Sequence, residues 1–70
     1  MYLVIEMQCN GQTIANLAFA YDDRLEAESK YHALLSAAAV SQVPIHTVVM
    51  LTEDGNLLHH QYYAHPKEGD

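Results

Sequence analysis

The sequence contains very little cysteine and few basic residues. Cys9 is the only cysteine in 70 residues, so no disulfide can form within the chain and zinc sites built from several cysteines are excluded. Three basic residues stand against nine acidic ones, and the formal net charge is −6. Binding to nucleic acid or to an anionic membrane needs clustered Lys and Arg, so neither is an expected partner. A small anionic ligand held by one or two basic groups stays open.

Long apolar runs are also missing. No stretch approaches the ~20 apolar residues that span a bilayer, and the first residues, MYLVIEM, lack the basic start of a signal peptide. A single thiol suits a reducing compartment. We therefore expect a soluble, cytoplasmic protein.

The length predicts one small domain over residues 1–65, followed by a frayed polar tail over residues 66–70. A chain of this size buries only ~60% of the surface that its unfolded form exposes. Small domains are usually supported by disulfides, a structural metal or oligomerisation. Because disulfides are excluded and no metal or other cofactor is indicated, oligomerisation is the expected support.

Hydrophobic periodicity predicts an α+β fold with the order ββαββ: a four-stranded antiparallel sheet with one helix across one face. Alternating segments indicate strands, and a segment of good helix formers after Asp22 and Asp23 indicates a capped helix. The strands are expected at residues 2–9, 13–21, 45–52 and 57–64, and the helix at residues 24–41.

The first turn decides which residues of the first hairpin face the core. A two-residue Asn-Gly loop would mix polar and apolar side chains on both faces. A three-residue loop, Cys9 to Gly11, pairs Ile5 with Ala15 and Leu3 with Leu17 and is the favoured register, because a one-residue slip moves every side chain to the other face.

The apolar positions outside the expected core predict a homo-oligomer. One helix covers one face of a sheet, and the helix already has a core stripe of Ala27, Tyr31, Leu34, Leu35 and Ala38. Apolar surface beyond these positions usually marks association. The predicted oligomer interface consists of Tyr2 and Val4 on the second sheet face and of a small-residue helix stripe, Ala33, Ala37 and Val40.

The segment HHQYYAH, residues 59–65, resembles a metal site but is predicted not to be one. Neighbouring residues of a strand point to opposite faces, and His46 is the only cross-strand histidine. A three-residue second turn places His46 opposite Tyr62 and diagonal to His60, whereas a two-residue turn places it opposite Tyr63. Either way only two histidines meet, too few for zinc or nickel.

Two helical side chains complete the candidate residues. Arg24, in the first turn of the helix, could help hold an anion, but an ion pair with Asp22 or Asp23 is the favoured interpretation. His32 lies one turn from Glu28, a spacing typical of a solvated pair. No catalytic residue is assigned, and the candidates for ligand contact are Arg24, His32, His46, His60 and Tyr62.

Residues 27–51, AESKYHALLSAAAVSQVPIHTVVML, resemble small phage- and prophage-type proteins through AE-S-KYH, SAAAVS and the His46 that follows Pro44. The resemblance implies an accessory viral protein in the host cytoplasm that binds a host factor or a nucleotide signal. We therefore expect a homo-oligomeric binding or sequestering protein. The alternative is a small oligomeric enzyme with an interface active site that uses His32 or His46.

Overall fold

Residues 1–65 of a computed structural model are described, and they form five elements. Every strand pairing is antiparallel, and the helix packs across one face of the sheet. This confirms the predicted α+β fold with the order ββαββ. The predicted tail, residues 66–70, lies outside the described residues. The elements are β1 (Tyr2–Asn10), β2 (Thr13–Tyr21), α1 (Arg24–Ala39), β3 (Ile45–Thr52) and β4 (Leu57–Ala64). In the sheet the strands lie in the order β2-β1-β3-β4.

Helix α1 begins and packs as predicted. The Asp23 carboxylate accepts a hydrogen bond of 3.2 Å from the Leu25 backbone N–H, which satisfies one of the free donors at the helix start. Four residues of the predicted core stripe, Ala27, Tyr31, Leu34 and Ala38, are buried. The helix ends at Ala39, two residues earlier than predicted. Within residues 1–65, no helix is long and apolar enough to cross a membrane.

The first hairpin has a different register from either one considered. Its loop has two residues and starts at Gly11, so Asn10 lies opposite Thr13 and Ile5 lies opposite Ala18. Gly11 has a φ of +66°, the positive value that the first position of a type II′ hairpin loop requires. The predicted loop of three residues was therefore wrong.

The corrected register reverses the faces of β1. Val4 is fully buried in the core beneath α1, and Tyr2 packs against that core. Their predicted placement on the face away from the helix was therefore wrong: Val4 is fully buried and Tyr2 is half-buried against the core. A contact of Tyr2 with a second copy stays a prediction. The core itself is small: Met50, Val4 and Val48 are the largest fully buried side chains.

The second hairpin combines features of both predicted alternatives. Its turn has three residues that end at Gly55, with a φ of +91°, and the Thr52 N–H donates to the Asn56 carbonyl over 2.9 Å. An irregularity between Met50 and Leu51 then shifts the register by one residue. As a result His46 lies opposite Tyr63, the partner expected from a two-residue turn.

Candidate functional site

A buried carboxylate–imidazole pair lies between the sheet and the second half of the helix. Glu6 and His46 are 4% and 2% exposed, and Glu6 Oε2 lies 3.1 Å from His46 Nδ1. The side-chain amide of Gln8 donates to the other carboxylate oxygen over 3.1 Å. The pairing of β1 with β3 brings Glu6 and His46 together across 40 residues of sequence.

This geometry determines which ring nitrogen carries a proton. An ionised carboxylate only accepts hydrogen bonds, so with Glu6 ionised His46 Nδ1 is the donor. His46 Nε2 is buried without a hydrogen-bond partner among the described residues. A carboxylate that orients an imidazole in this way is the arrangement of a general base. However, His46 Nε2 is buried, so a substrate could reach it only if the surrounding structure moved.

The HHQYYAH segment is divided between the two faces of the sheet. On the helix side, the ring of His59 stacks on Tyr31 at 5.4 Å, and His65 Nε2 lies 2.8 Å from the Ala38 carbonyl near the end of α1. His60 and Tyr62 lie on the opposite face. The predicted alternation along β4 is confirmed for these residues. The helix-side histidines support the packing and the end of the helix.

Burial of Tyr31 between helix and sheet has an electrostatic consequence. Desolvation raises the pKa of its phenol above the ordinary value of 10.0, and the nearby Tyr63 adds to the increase. Tyr31 therefore stays neutral at physiological pH and acts as a packing residue with an aromatic contact on His59. No proton-transfer role follows from its position.

The two helical candidates lie on the surface of α1. Arg24 Nε pairs with Glu28 Oε2 at 3.2 Å, so the expected ion pair with Asp22 or Asp23 was wrong. His32 is exposed and contacts the edge of the Tyr31 ring. Glu28, the predicted neighbour of His32, instead lies 3.8 Å from His59 Nε2.

These placements separate the candidate ligand residues. Arg24 and His32 lie on the helix surface, His46 lies in the core, and His60 and Tyr62 lie on the uncovered side of the sheet. One chain therefore does not bring them into a single pocket. Contact with a ligand remains a prediction for each residue by itself.

A shallow groove runs between α1 and β2 and has a volume of about 290 Å³. Its lining includes Lys30, whose ammonium lies 4.2 Å from the centre of the Phe19 ring, and Glu26. The volume falls at the lower limit of ligand pockets, roughly 300 Å³. A carboxylate in the same lining also disfavours an anion, so this groove is a weak candidate for a nucleotide-like ligand.

The uncovered side of the sheet is the most distinctive surface. We call it the open face, and each of the four strands contributes four side chains to it. They are Leu3, Ile5, Met7 and Cys9 from β1, Ile14, Asn16, Ala18 and Ala20 from β2, Ile45, Thr47, Val49 and Leu51 from β3, and Leu57, His60, Tyr62 and Ala64 from β4. The face contains no Asp, Glu, Lys or Arg. An antiparallel sheet with one solvated side normally carries polar residues there.

Several large side chains of the open face are in contact with solvent. Ile14 is 61% exposed and Tyr62 is 57% exposed. Strand spacing and rise give the face dimensions of about 19 by 27 Å, a projected area of roughly 500 Å². Apolar patches of this size on a small chain usually mark an interaction surface. The predicted helix stripe, Ala33, Ala37 and Val40, is exposed as well, but it is narrower.

Two parts of this arrangement were missed from the sequence. Glu6 alternates in phase with Tyr2 and Val4, which were expected to face away from the helix, and no local pattern links it to His46. The favoured register placed Leu3 and Ile5 in the core, although the residues that alternate with them, Tyr2 and Val4, are apolar as well. The available signal was the number of apolar residues on each face of the sheet. The face that carries Ala18 and Ala20 has the larger number.

Metal binding and similarity to known proteins add no further site. Within residues 1–65, no group of three or more His, Cys, Asp or Glu side chains could hold a metal ion. No family model matches the chain, and no curated protein and no solved structure is significantly similar to it.

Proposed function

We propose that the protein is a small homo-oligomeric binding protein whose copies associate through the open face. The observation that carries the proposal is the absence of charged side chains from that face in a chain with nine acidic residues. Two chains with a net charge of −6 repel each other, and an uncharged contact surface keeps their like charges apart. The open face is such a surface.

The small core supports the same proposal. A single helix covers one side of the sheet, and the largest fully buried side chains are one methionine and two valines. A second layer on the open face would bury Ile14 and Tyr62, which are now mostly exposed. Each Å² of apolar surface that such a contact removes from water stabilises the assembly by about 25 cal/mol before the costs of association.

The biological role in this proposal is to bind or sequester a partner in the cell. The resemblance of residues 27–51 to phage- and prophage-type proteins supports an accessory viral role, with a host protein or a small nucleotide-like ligand as the bound partner. The surface candidates for that contact are Arg24, His32, His60 and Tyr62. The buried position of His46 disfavours the alternative of an enzyme that uses it, because its Nε2 atom is not accessible to solvent.

The mass of the assembly in solution tests the proposal. Sedimentation velocity on the full chain should give a multiple of 7.8 kDa at micromolar concentration. An Ile5→Glu variant, which places a carboxylate in the middle of the open face, should lower the mass of the assembly. Ser36→Glu is the matched control, since it adds the same charge at an exposed position of α1. A wild-type chain that sediments as a folded monomer would refute the proposal.

A further inference from the structure

Strand β2 is an unprotected edge of the sheet. It has nine residues, Thr13–Tyr21, with no charged side chain and no proline, and its pairing with β1 is regular along its whole length. Residues 13–18 are all exposed. Natural proteins usually protect such edges with charges, prolines, bulges or short strands. The other edge, β4, carries the register shift opposite Met50 and Leu51, so the two edges differ.

The register identifies the backbone groups that are free on β2. The residues that flank a two-residue hairpin loop form a hydrogen-bonded pair, here Asn10 and Thr13. Hydrogen-bonded and non-bonded pairs alternate along antiparallel strands. The N–H and C=O groups of every second residue, Ile14, Asn16, Ala18 and Ala20, therefore point away from β1, toward the free edge.

These four residues are complementary to a second copy of themselves. In an antiparallel pair with a two-fold axis at Leu17, Ile14 lies opposite Ala20 and Asn16 lies opposite Ala18. Each residue whose backbone groups point to the free edge then lies opposite another such residue, and Ile14 and Asn16 each lie opposite an alanine. A shift of the register by two residues in one direction would place Ala20 opposite the loop of the second copy. A shift in the other direction would place Ile14 opposite Asp22. Only the register centred on Leu17 therefore pairs all four edge-facing residues with one another.

The same register suits the helix side of the sheet. Leu17 points to that side and is 47% exposed, because α1 does not extend over it. On the two-fold axis it would contact Leu17 of the second copy as a non-hydrogen-bonded pair, the closer of the two pair types. Asp22 would lie beside the uncharged Gln12 of that copy, so the contact opposes no like charges.

We propose that two copies of the chain pair through their β2 edges, antiparallel and centred on Leu17, to form one eight-stranded sheet. The two open faces then join into one continuous surface with a projected area of roughly 1,000 Å². A contact between copies about a two-fold axis is the commonest form of homo-oligomer. This edge contact is distinct from association through the open face, and either can exist without the other.

Disulfide trapping tests the register on the full chain. In a Cys9→Ser background, the only cysteine is the one introduced. Leu17→Cys should form a cross-linked dimer under mild oxidation, because opposed Cβ atoms on the axis lie about 4.5–5.5 Å apart. Ala15→Cys is the matched control: it points to the same side but lies opposite Phe19, and its two copies would be about 14 Å apart, too far for a disulfide. Equal cross-linking of both variants, or none of Leu17→Cys, would overturn the proposal.

A charge-exchange experiment provides an independent measurement and separates the edge from the open face. Leu17→Lys and Leu17→Glu each place like charges on the axis and should weaken the dimer about tenfold or more, whereas an equimolar mixture of the two should restore association. Neither substitution touches the open face. If Ile5→Glu weakens association and neither Leu17 substitution does, the edge contact alone is overturned. If the Leu17 substitutions weaken association and Ile5→Glu does not, the open-face contact alone is overturned.

Discussion

Replacement of Ile5 by glutamate distinguishes the structure from the sequence-based expectation. From the sequence, Ile5 belongs to the core, and a carboxylate there would unfold a domain of this size. In the structure, Ile5 lies on the open face between Ala18 and Val49, with no basic side chain opposite it. We therefore expect Ile5→Glu to remain folded and to lose its association through the open face.

The magnitudes of the two effects differ enough to separate them. In a single chain, the substitution at a half-buried strand position costs at most about 1 kcal/mol of intrinsic strand preference and packing, or about 4–8 °C in Tm for a domain of this size. At an interface, an unpaired buried carboxylate costs several kcal/mol. A two-fold contact buries two of them, so the Kd for association should rise by at least about a thousandfold.

Two measurements on one sample give the result. Sedimentation velocity reports the mass, and circular dichroism reports the helical signal and Tm. For the wild type, Tm should rise with protein concentration because association stabilises the folded chain, whereas this dependence should be weaker for Ile5→Glu and should disappear when Leu17→Glu is combined with it. Val4→Glu, one residue away but fully buried under α1, should fail to fold.

The exposed helix stripe provides the competing interface. Ala37→Glu adds the same charge to that stripe, where Ala37 is exposed on the single chain. Loss of association by Ala37→Glu together with an unchanged mass of Ile5→Glu would refute the reasoning from the open face. The interface predicted from the alanine spacing would then be the correct one.

Three further outcomes follow from other parts of the fold. Glu6→Ala should lower the free energy of unfolding by about 1–3 kcal/mol in urea titration, because it leaves the buried His46 ring without its hydrogen-bond partner. A double replacement of Glu6 and His46 by leucine should recover most of that loss, and equal losses in both variants would contradict the pairing. Burial raises the pKa of Tyr31 above 10.0, so Tyr31 stays protonated in the folded chain at a pH where it ionises in the unfolded chain. The contribution of Tyr31 to stability is complete below pH 10 and is lost as the pH rises through the higher folded pKa. Tyr31→Phe should reduce this decline in stability, as measured in denaturant melts. Gly11→Ala should cost roughly 1 kcal/mol in thermal melts, since the φ of +66° is strained for alanine although a Cβ there meets no atom within 4 Å, and an unchanged Tm would argue against this loop conformation.

Local patterns in the sequence were sufficient for the elements and their order. The alternation of strands, the Asp23 cap and the spacing of Ala27, Tyr31, Leu34 and Ala38 each depend on residues within one or two turns of each other. Periodicity of 2 or 3.6 residues measures such short-range relations directly. The ββαββ order and the core side of the helix were therefore predictable.

The registers were not predictable in the same way. Both sides of the first half of β1 are apolar, so local alternation could not decide whether Val4 or Ile5 faces the helix. The answer depends on the position of the loop at Gly11 and, in the second hairpin, on the irregularity opposite Met50 and Leu51. A change of one residue in either place moves every side chain of the strand to the other face.

Amino-acid sequence alone determined that this chain is small, acidic, without disulfides and formed of two hairpins joined by a helix. Only the tertiary structure decided which apolar face the helix covers, that Glu6 meets His46 in the core, and that the uncharged open face and the β2 edge stay uncovered. The physical reason is the range of the interactions: strand and helix patterns arise between near neighbours, whereas the β1–β3 pairing joins residues about 40 positions apart. Its register is set by the packing of the whole sheet against α1.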